Sequence, residues 1–186
     1  MYYRILSPIY QRAAKKMCLD CQDFIEKGEK ILDLGCGSGI VGKTFQDFFN
    51  AEISGIDIVD KRVEKMPFQI YDGKNIPFPE NYFNIVLINY VLHHSDDPEA
   101  LLKEAKRIAK KIIIFEDLPE GFLSKIYCKI HSITFNKFFQ KPGEANYSFK
   151  TSREWKKIFQ KIGLNLILKK RIENFPVKKE LFILGA

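Results

Sequence analysis

Short apolar runs alternate along the chain with segments whose apolar residues recur every three or four positions. Ala14, Met17, Cys18, Cys21 and Phe24 or Ile25 follow the helical period and predict an amphipathic helix that ends near Gly28. Lys30–Leu34 predicts a short buried strand, and a glycine-rich turn then leads into an apolar helix over about Val41–Phe49. Glu52–Ile58, Pro67–Tyr71 and Phe83–Asn89 predict three further strands. Asp97, with Pro98 at the first helical position, opens a helix that runs to about Ala109. Ile112–Phe115 predicts a fifth strand, almost wholly β-branched and aromatic. Leu118–Lys150 is at once apolar, aromatic and basic, with Gly121–Phe139 mostly helical. Thr151 and Glu154 have capping-box spacing and start a helix through Trp155, Ile158 and Phe159 that stops at Gly163. Leu164–Lys169 and Leu181–Leu184 supply the last strands, seven in all. Strands and helices in this alternation predict an α/β sandwich around a mostly parallel sheet. Ligands of such sheets sit beyond the carboxyl ends of the strands, where the strand order reverses.

A length of 186 residues fits one domain, and 46% hydrophobic with 28% charged residues excludes a disordered or collagen-like chain. Repeats, low-complexity tracts and Gly/Ser linkers are absent from the sequence. No apolar stretch approaches the roughly 18–20 residues of a membrane-spanning helix. Met1–Tyr10 lacks an apolar core before a small-residue cleavage site, so no secretory signal is expected. Four cysteines in a chain of this length do not make a disulfide framework, and a cytoplasmic location is expected. Cys18 and Cys21 share the apolar stripe of the first helix without a second pair, which predicts core packing rather than zinc or redox chemistry. Net charge is +7 but uneven: residues 1–100 hold 11 Lys+Arg against 15 Asp+Glu, and residues 101–186 hold 19 against 8. A basic second half can attract nucleic acid, an anionic membrane surface or an acidic substrate, or simply form a solvated lysine-rich face. Lysine outnumbers arginine 24 to 6, which disfavours nucleic acid, whose bidentate contacts prefer Arg.

The richest chemistry lies in Ile31-Leu32-Asp33-Leu34-Gly35-Cys36-Gly37-Ser38-Gly39. Alternating glycines let a strand turn sharply and pass close beside a ligand, and the helix that follows offers free N–H groups to the same crevice. Gly37, Gly39 and Gly42 satisfy G-x-G-x-x-G literally, so a nicotinamide or flavin dinucleotide is a candidate. Asp33 counts against it, because a carboxylate at the strand end repels a pyrophosphate and attracts a cationic amino group. Asp57, at the end of the second strand, has the position of a carboxylate that accepts from both hydroxyls of a ribose.

With Asp33-Leu34-Gly35-Cys36-Gly37-Ser38-Gly39, Asp57 and the stretch from Tyr71 through Asp117, the chain resembles class I S-adenosylmethionine-dependent methyltransferases. It is most similar to the small type 11 group that includes quinone-biosynthesis methyltransferases, from about Lys30 to Leu184. The resemblance implies a Rossmann-like, seven-stranded, mostly parallel sheet with helices on both faces and an antiparallel last strand. It implies one methyltransferase domain over 1–186, with 1–29 as a helical cap and 118–150 as a substrate lid, and S-adenosyl-L-methionine as cofactor. By position, Asp33, Gly35, Cys36 and Gly37 would line the methionine part, Asp57 the ribose, and Ile58 the adenine face. Asp72-Gly73 would meet the adenine edge, with Asp72 accepting from the exocyclic amine. Asn89 falls where the backbone meets the methionine ammonium, and Val91-Leu92-His93-His94 borders the transfer site. The 15 residues from Asp57 to Asp72 are fewer than usual, so the helix after the second strand should shrink to a turn. Asn84 replaces the family's usual Asp, and a Pro-Gly-Gly turn before Ile112 is missing.

His93, His94 and Asp117 are the candidate catalytic groups: a neutral imidazole or a carboxylate can accept a proton from the attacking nucleophile. Glu116 and Asp117 both end the fifth strand, facing the crevice. No metal site is expected, because adjacent histidines rarely converge on one ion and no third ligand has a metal-type spacing. Tyr2, Tyr3 and Tyr10 would fold over the cofactor, and Phe122, Ile126, Ile130, Phe135, Phe138 and Phe139 would line a lid suited to an apolar or aromatic substrate. The expected reaction is methyl transfer to an O, N, S or C nucleophile of a small molecule. RNA or protein is the alternative substrate, disfavoured because Asn89-Tyr90-Val91-Leu92 lacks an Asn/Asp-Pro-Pro-Tyr motif. A nucleotide-dependent oxidoreductase and a non-catalytic S-adenosylmethionine-binding partner subunit are the alternative functions.

Overall fold

The computed structural model describes residues 2–139, 149–172 and 177–186, with side chains throughout except at 2–5 and 132–139. Strands β1 (Lys30–Leu34), β2 (Glu52–Asp57), β3 (Phe68–Ile70), β4 (Phe83–Asn89), β5 (Ala109–Leu118), β6 (Asn165–Ile172) and β7 (Lys178–Gly185) form one sheet in the order β3-β2-β1-β4-β5-β7-β6. Strands β1 to β5 pair in parallel, while β7 runs antiparallel to both β5 and β6. The expected mostly parallel, Rossmann-like sheet with its antiparallel last strand is therefore present. Strand order reverses between β1 and β4, so a crevice opens beyond their carboxyl ends.

Side-chain alternation sorts the strand residues onto two helical layers. Leu32, Leu34, Val86, Ile88, Ile112 and Ile114 pack against Leu101, Leu102 and Ala105 of α3 (Pro98–Ile108) and against Trp155 and Phe159 of α5 (Ser152–Lys161). On the other face Ile31, Ile53, Ile85, Leu87, Ile113 and Phe115 pack against Met17, Cys18 and Cys21 of α1 (Tyr2–Cys21) and Phe45 and Phe49 of α2 (Ile40–Phe49). Burial on both faces explains why these strands read as continuous apolar runs. The remaining helix, α4 (Phe122–Phe139), follows β5 across the carboxyl edge.

Local signals act where they were expected. Asp97 caps α3 by accepting from the Ala100 N–H at 2.9 Å. Thr151 and Glu154 form a reciprocal capping box on α5. Residues 58–67 form no helix, as the short spacing implied; Val63 instead donates to the Ser38 carbonyl at 2.8 Å, docking this loop on the glycine turn. All four cysteines are free and buried, and Cys18 and Cys21 pack in the core.

Several boundaries differ from the apolar pattern. The first helix ends at Cys21, not Gly28, because a 3-10 turn at Gln22–Phe24 and an extended Ile25 complete the connection to β1. β5 extends through Glu116 and Asp117 to Leu118, since its partner β7 continues the ladder as far as Lys178. β6 is an edge strand, largely exposed, whose Lys169, Lys170 and Arg171 guard it against pairing with another chain. Part of the charge asymmetry is also consumed inside the fold: Lys170 pairs with Asp20 at 2.7 Å and Lys161 with Glu99 at 2.8 Å. Among the described residues no helix is long and apolar enough to cross a membrane.

Candidate active site

The turn after β1 is shaped by glycines in the left-handed region. Gly35 has φ +72°, and a Cβ there would stand 2.5 Å from Val91 Cγ2. Gly35 and Cys36 both donate to the Ile56 carbonyl, at 2.8 and 3.1 Å, which fastens the turn to the end of β2. Gly37 donates to Asp57 Oδ2 at 2.8 Å, so the second acid is tied directly to the glycine turn. The Ile58 N–H holds the other Asp57 oxygen at 2.7 Å, while the Ile58 side chain is left 64% exposed, an apolar surface beside a carboxylate. Cys36 is buried, with its thiol pKa pushed up by burial, and fills the space beside Gly55.

Asp33 is a buried carboxyl group on the α1/α2 side of β1. Burial pushes its pKa from an ordinary 3.8 up to about 7; the Gly42 N–H opposes this, and the charge of Asp57 adds to it. Its Oδ2 makes no hydrogen bond of good geometry among the described residues, and neither does the buried Asn89 Oδ1 at the end of β4. Two buried acceptors at neighbouring strand ends call for a donor-rich or cationic ligand, since a buried polar atom without a partner costs about 1–3 kcal/mol. Asp72 is committed differently. Its carboxylate accepts from the N–H groups of Lys74 and Asn75 and from Asn75 Nδ2, at 2.7–2.8 Å. These bonds, that from the Asn75 backbone foremost, lower its pKa and shape the loop at Gly73, which packs beside Ile58.

On the opposite side of the crevice, β4 ends in a strained Tyr90 (φ +56°) and a 3-10 turn at Leu92–His94. Glu116 is completely buried beneath that turn. It accepts from the Leu92 N–H at 2.8 Å and pairs with His93 Nδ1 at 2.6 Å. With the Glu116 carboxylate accepting, His93 Nδ1 is the donor and the ring is held in one orientation. His94 is held neutral, its pKa pushed down to about 2 by burial and then by His93 and His131. His131, on α4, is also lowered by burial, and its ring centroid lies 5.5 Å from that of His94.

Strand alternation separates the two acids that the sequence places together. Glu116 shares the face of Ile112 and Ile114 and meets the histidines, whereas Asp117 shares the face of Ile113 and Phe115. There Asp117 lies 3.6 Å from Lys179, and burial raises its pKa.

A protein-family profile described as "Methyltransferase domain" matches residues 3–169. The chain belongs to the methyltransferase-domain family. This bears out the resemblance seen in the glycine turn and Asp57. Among curated relatives, the demethylmenaquinone methyltransferase of Thermotoga maritima is 30% identical over 113 residues, covering 53% of this chain and 49% of that protein. The chain thus spans about a third to a half of the length of the curated relatives that it matches. Solved structures share the fold, two of which illustrate it. A methyltransferase in complex with the Haloferax volcanii Trm112 activator superposes with a TM-score of 0.73 at 15% identity, over 98% of this chain and 96% of that one. The magnesium protoporphyrin IX methyltransferase of Synechocystis, with bound S-adenosylhomocysteine, gives 0.70 at 16%, over 95% and 83%.

Within this methyltransferase domain the fold brings Asp33, Gly35, Cys36, Gly37, Asp57, Ile58 and Asn89 to the β1, β2 and β4 ends, with Asp72 and Gly73 on the adjoining loop. It unites His93 with His94 and leaves Asp117 on the other face. Sequence reasoning passed over Glu116 as the histidine's partner and His131 as the third imidazole. Strand parity could have assigned Glu116 to the face of Ile112 and Ile114; no sequence signal brings His131 across. Phe122, Ile126 and Ile130 are 78%, 40% and 55% exposed on α4, while the side chains of Tyr2, Tyr3, Phe135, Phe138 and Phe139 lie outside the described residues.

Proposed function

We propose that this domain transfers a methyl group from S-adenosyl-L-methionine to an O, N, S or C nucleophile of a small, apolar or aromatic molecule in the cytoplasm. The observation that carries this is the pair of acids around one glycine turn: Asp57 bonded to the Gly37 N–H, and Asp33 buried with an unpartnered oxygen. The residues fit the cofactor. Asp33 Oδ2 and Asn89 Oδ1 offer acceptors to an ammonium, Asp57 keeps lone pairs for ribose hydroxyls, and exposed Ile58 offers an apolar face to adenine. Asp72, engaged by Lys74 and Asn75, serves the adenine edge with its remaining lone pairs and orders the loop that carries it.

When bound, the cofactor supplies an activated methyl group on a sulfonium whose departure needs no acid. The chain has then to align the nucleophile and exclude water, for which correct positioning is worth up to about 7–11 kcal/mol. Of the lid expected over 118–150, residues 140–148 lie outside the described residues; α4 supplies the described part in this reading, with His131 against the histidine pair. The Glu116–His93 pair fixes the orientation of one imidazole ring beside the crevice. His94 stays uncharged and so adds no repulsion toward a sulfonium.

Calorimetric titration with S-adenosylhomocysteine tests the site, with NADH as the competing ligand class. Binding of the former alone is expected. Asp57→Ala should reduce its affinity at least tenfold, because one hydrogen bond to a charged group is worth about 1.5–3 kcal/mol. Absence of heat at saturating concentration, or unchanged affinity in Asp57→Ala, contradicts the proposal.

A further inference from the structure

The fold joins three imidazoles that are remote in sequence. His93 and His94 occupy the turn after β4, and His131 comes from α4. One ring nitrogen of each lies within 4.8 Å of the other two. The ring centroids of His93 and His94 are 4.0 Å apart, and that of His131 is 5.7 Å from His93. His93 is buried and the other two are half-buried, so the cluster is part of the packed interior of the crevice. Neighbouring rings set its orientation: Phe149 stacks on His93 at 4.4 Å and Tyr127 on His131 at 5.9 Å.

We propose that His93, His94 and His131 bind one divalent transition-metal ion of the zinc class. Glu116 is the positioning residue. Its 2.6 Å contact with His93 Nδ1 leaves Nε2 as the ligand atom, the arrangement by which a carboxylate orients a metal-binding histidine. An all-imidazole donor set selects zinc, copper, nickel or cobalt over magnesium and calcium. Sequence spacing offered no third ligand; α4 brings it.

Three protein ligands on a four-coordinate ion leave one position open. That position takes an anionic oxygen or sulfur, such as a phenolate, enolate or thiolate, whose proton passes to solvent when the group binds the ion. This deepens the methyl-transfer reading and rests on it for the role of the bound group: the nucleophile is held as an anion without a protein base.

Chelator-stripped protein titrated with Zn²⁺ by calorimetry, and with Co²⁺ followed by visible absorption, tests the site. One ion per chain and the intense d–d bands of a tetrahedral centre are expected. Glu116→Gln should weaken Zn²⁺ binding by roughly 10–100-fold, and His131→Ala by more than that. Circular dichroism on each variant reports folding, and His131→Ala, a half-buried helix position, keeps the test valid if a change at Glu116 unfolds the chain. A His131→Ala variant that is folded and binds Zn²⁺ like the parent overturns the proposal, as does the absence of one-to-one binding in the parent. S-adenosylhomocysteine titrated into the same metal-free samples separates the two readings. If it binds while Zn²⁺ does not, the metal site falls and methyl transfer stands; if Zn²⁺ binds without it, the ion site stands and its proposed substrate role falls.

Discussion

Replacing Asp33 by Asn converts a buried ionisable group into a neutral one of nearly the same shape. In the folded chain the carboxyl group titrates at about 7 rather than the ordinary 3.8, with burial the principal cause. A raised folded pKa means that the fold holds its proton more tightly than the unfolded chain does. The stability it contributes is complete below the unfolded value and is lost as pH rises through about 7. Each pKa unit is worth 1.36 kcal/mol, so ionising Asp33 inside the fold costs about 4 kcal/mol. Asn has no such titration, and its carbonyl oxygen can still face the Gly42 N–H. Urea unfolding of both proteins should therefore give similar free energies near pH 4, with Asp33→Asn gaining up to about 4 kcal/mol near pH 8. Every other titrating group is common to both proteins and cancels in the difference. Binding should move the opposite way. A cationic ligand group beside Asp33 pulls its proton off, so parent affinity for S-adenosylhomocysteine should rise between about pH 5 and 7 and that of Asp33→Asn should stay weak and flat. A stability difference independent of pH would refute the assignment of a buried, protonated carboxyl group.

Gly35→Ala should cost about 1–2 kcal/mol for its left-handed backbone and more for displacing Val91. Gly37→Ala, with nothing within 4 Å of its Cβ, should incur the backbone cost alone. Thermal unfolding of the two variants should rank them in that order, and a reversed order would contradict the close approach at Val91. Thr151→Ala removes the acceptor that takes the Glu154 N–H at 3.3 Å and should lower stability by about 1 kcal/mol, measured by urea denaturation, without changing ligand affinity.

The parts of the molecule that follow from local chemistry were legible. β1 and β4 match their apolar runs to the residue, because both are central strands buried on both faces. The caps at Asp97 and Thr151 and the turn at Gly35–Gly39 depend on residues a few positions apart, so their signals survive in one dimension. β5 was underestimated at both ends, because Lys110 and Lys111 precede its apolar run and two acids follow it. Only its pairing with β7 and the contacts of Glu116 beneath the 3-10 turn make burial of those acids affordable.

The amino-acid sequence alone determined the strand–helix alternation, the glycine turn and the two acids at neighbouring strand ends. These are short-range choices of backbone conformation and period. Tertiary structure alone decided that Glu116 rather than Asp117 joins His93, that His131 meets the histidine pair, and that Asp33 holds a proton near neutrality. Each of these depends on which side chains share a buried space after strands distant in the chain have paired, and desolvation there sets the chemistry as much as residue type does.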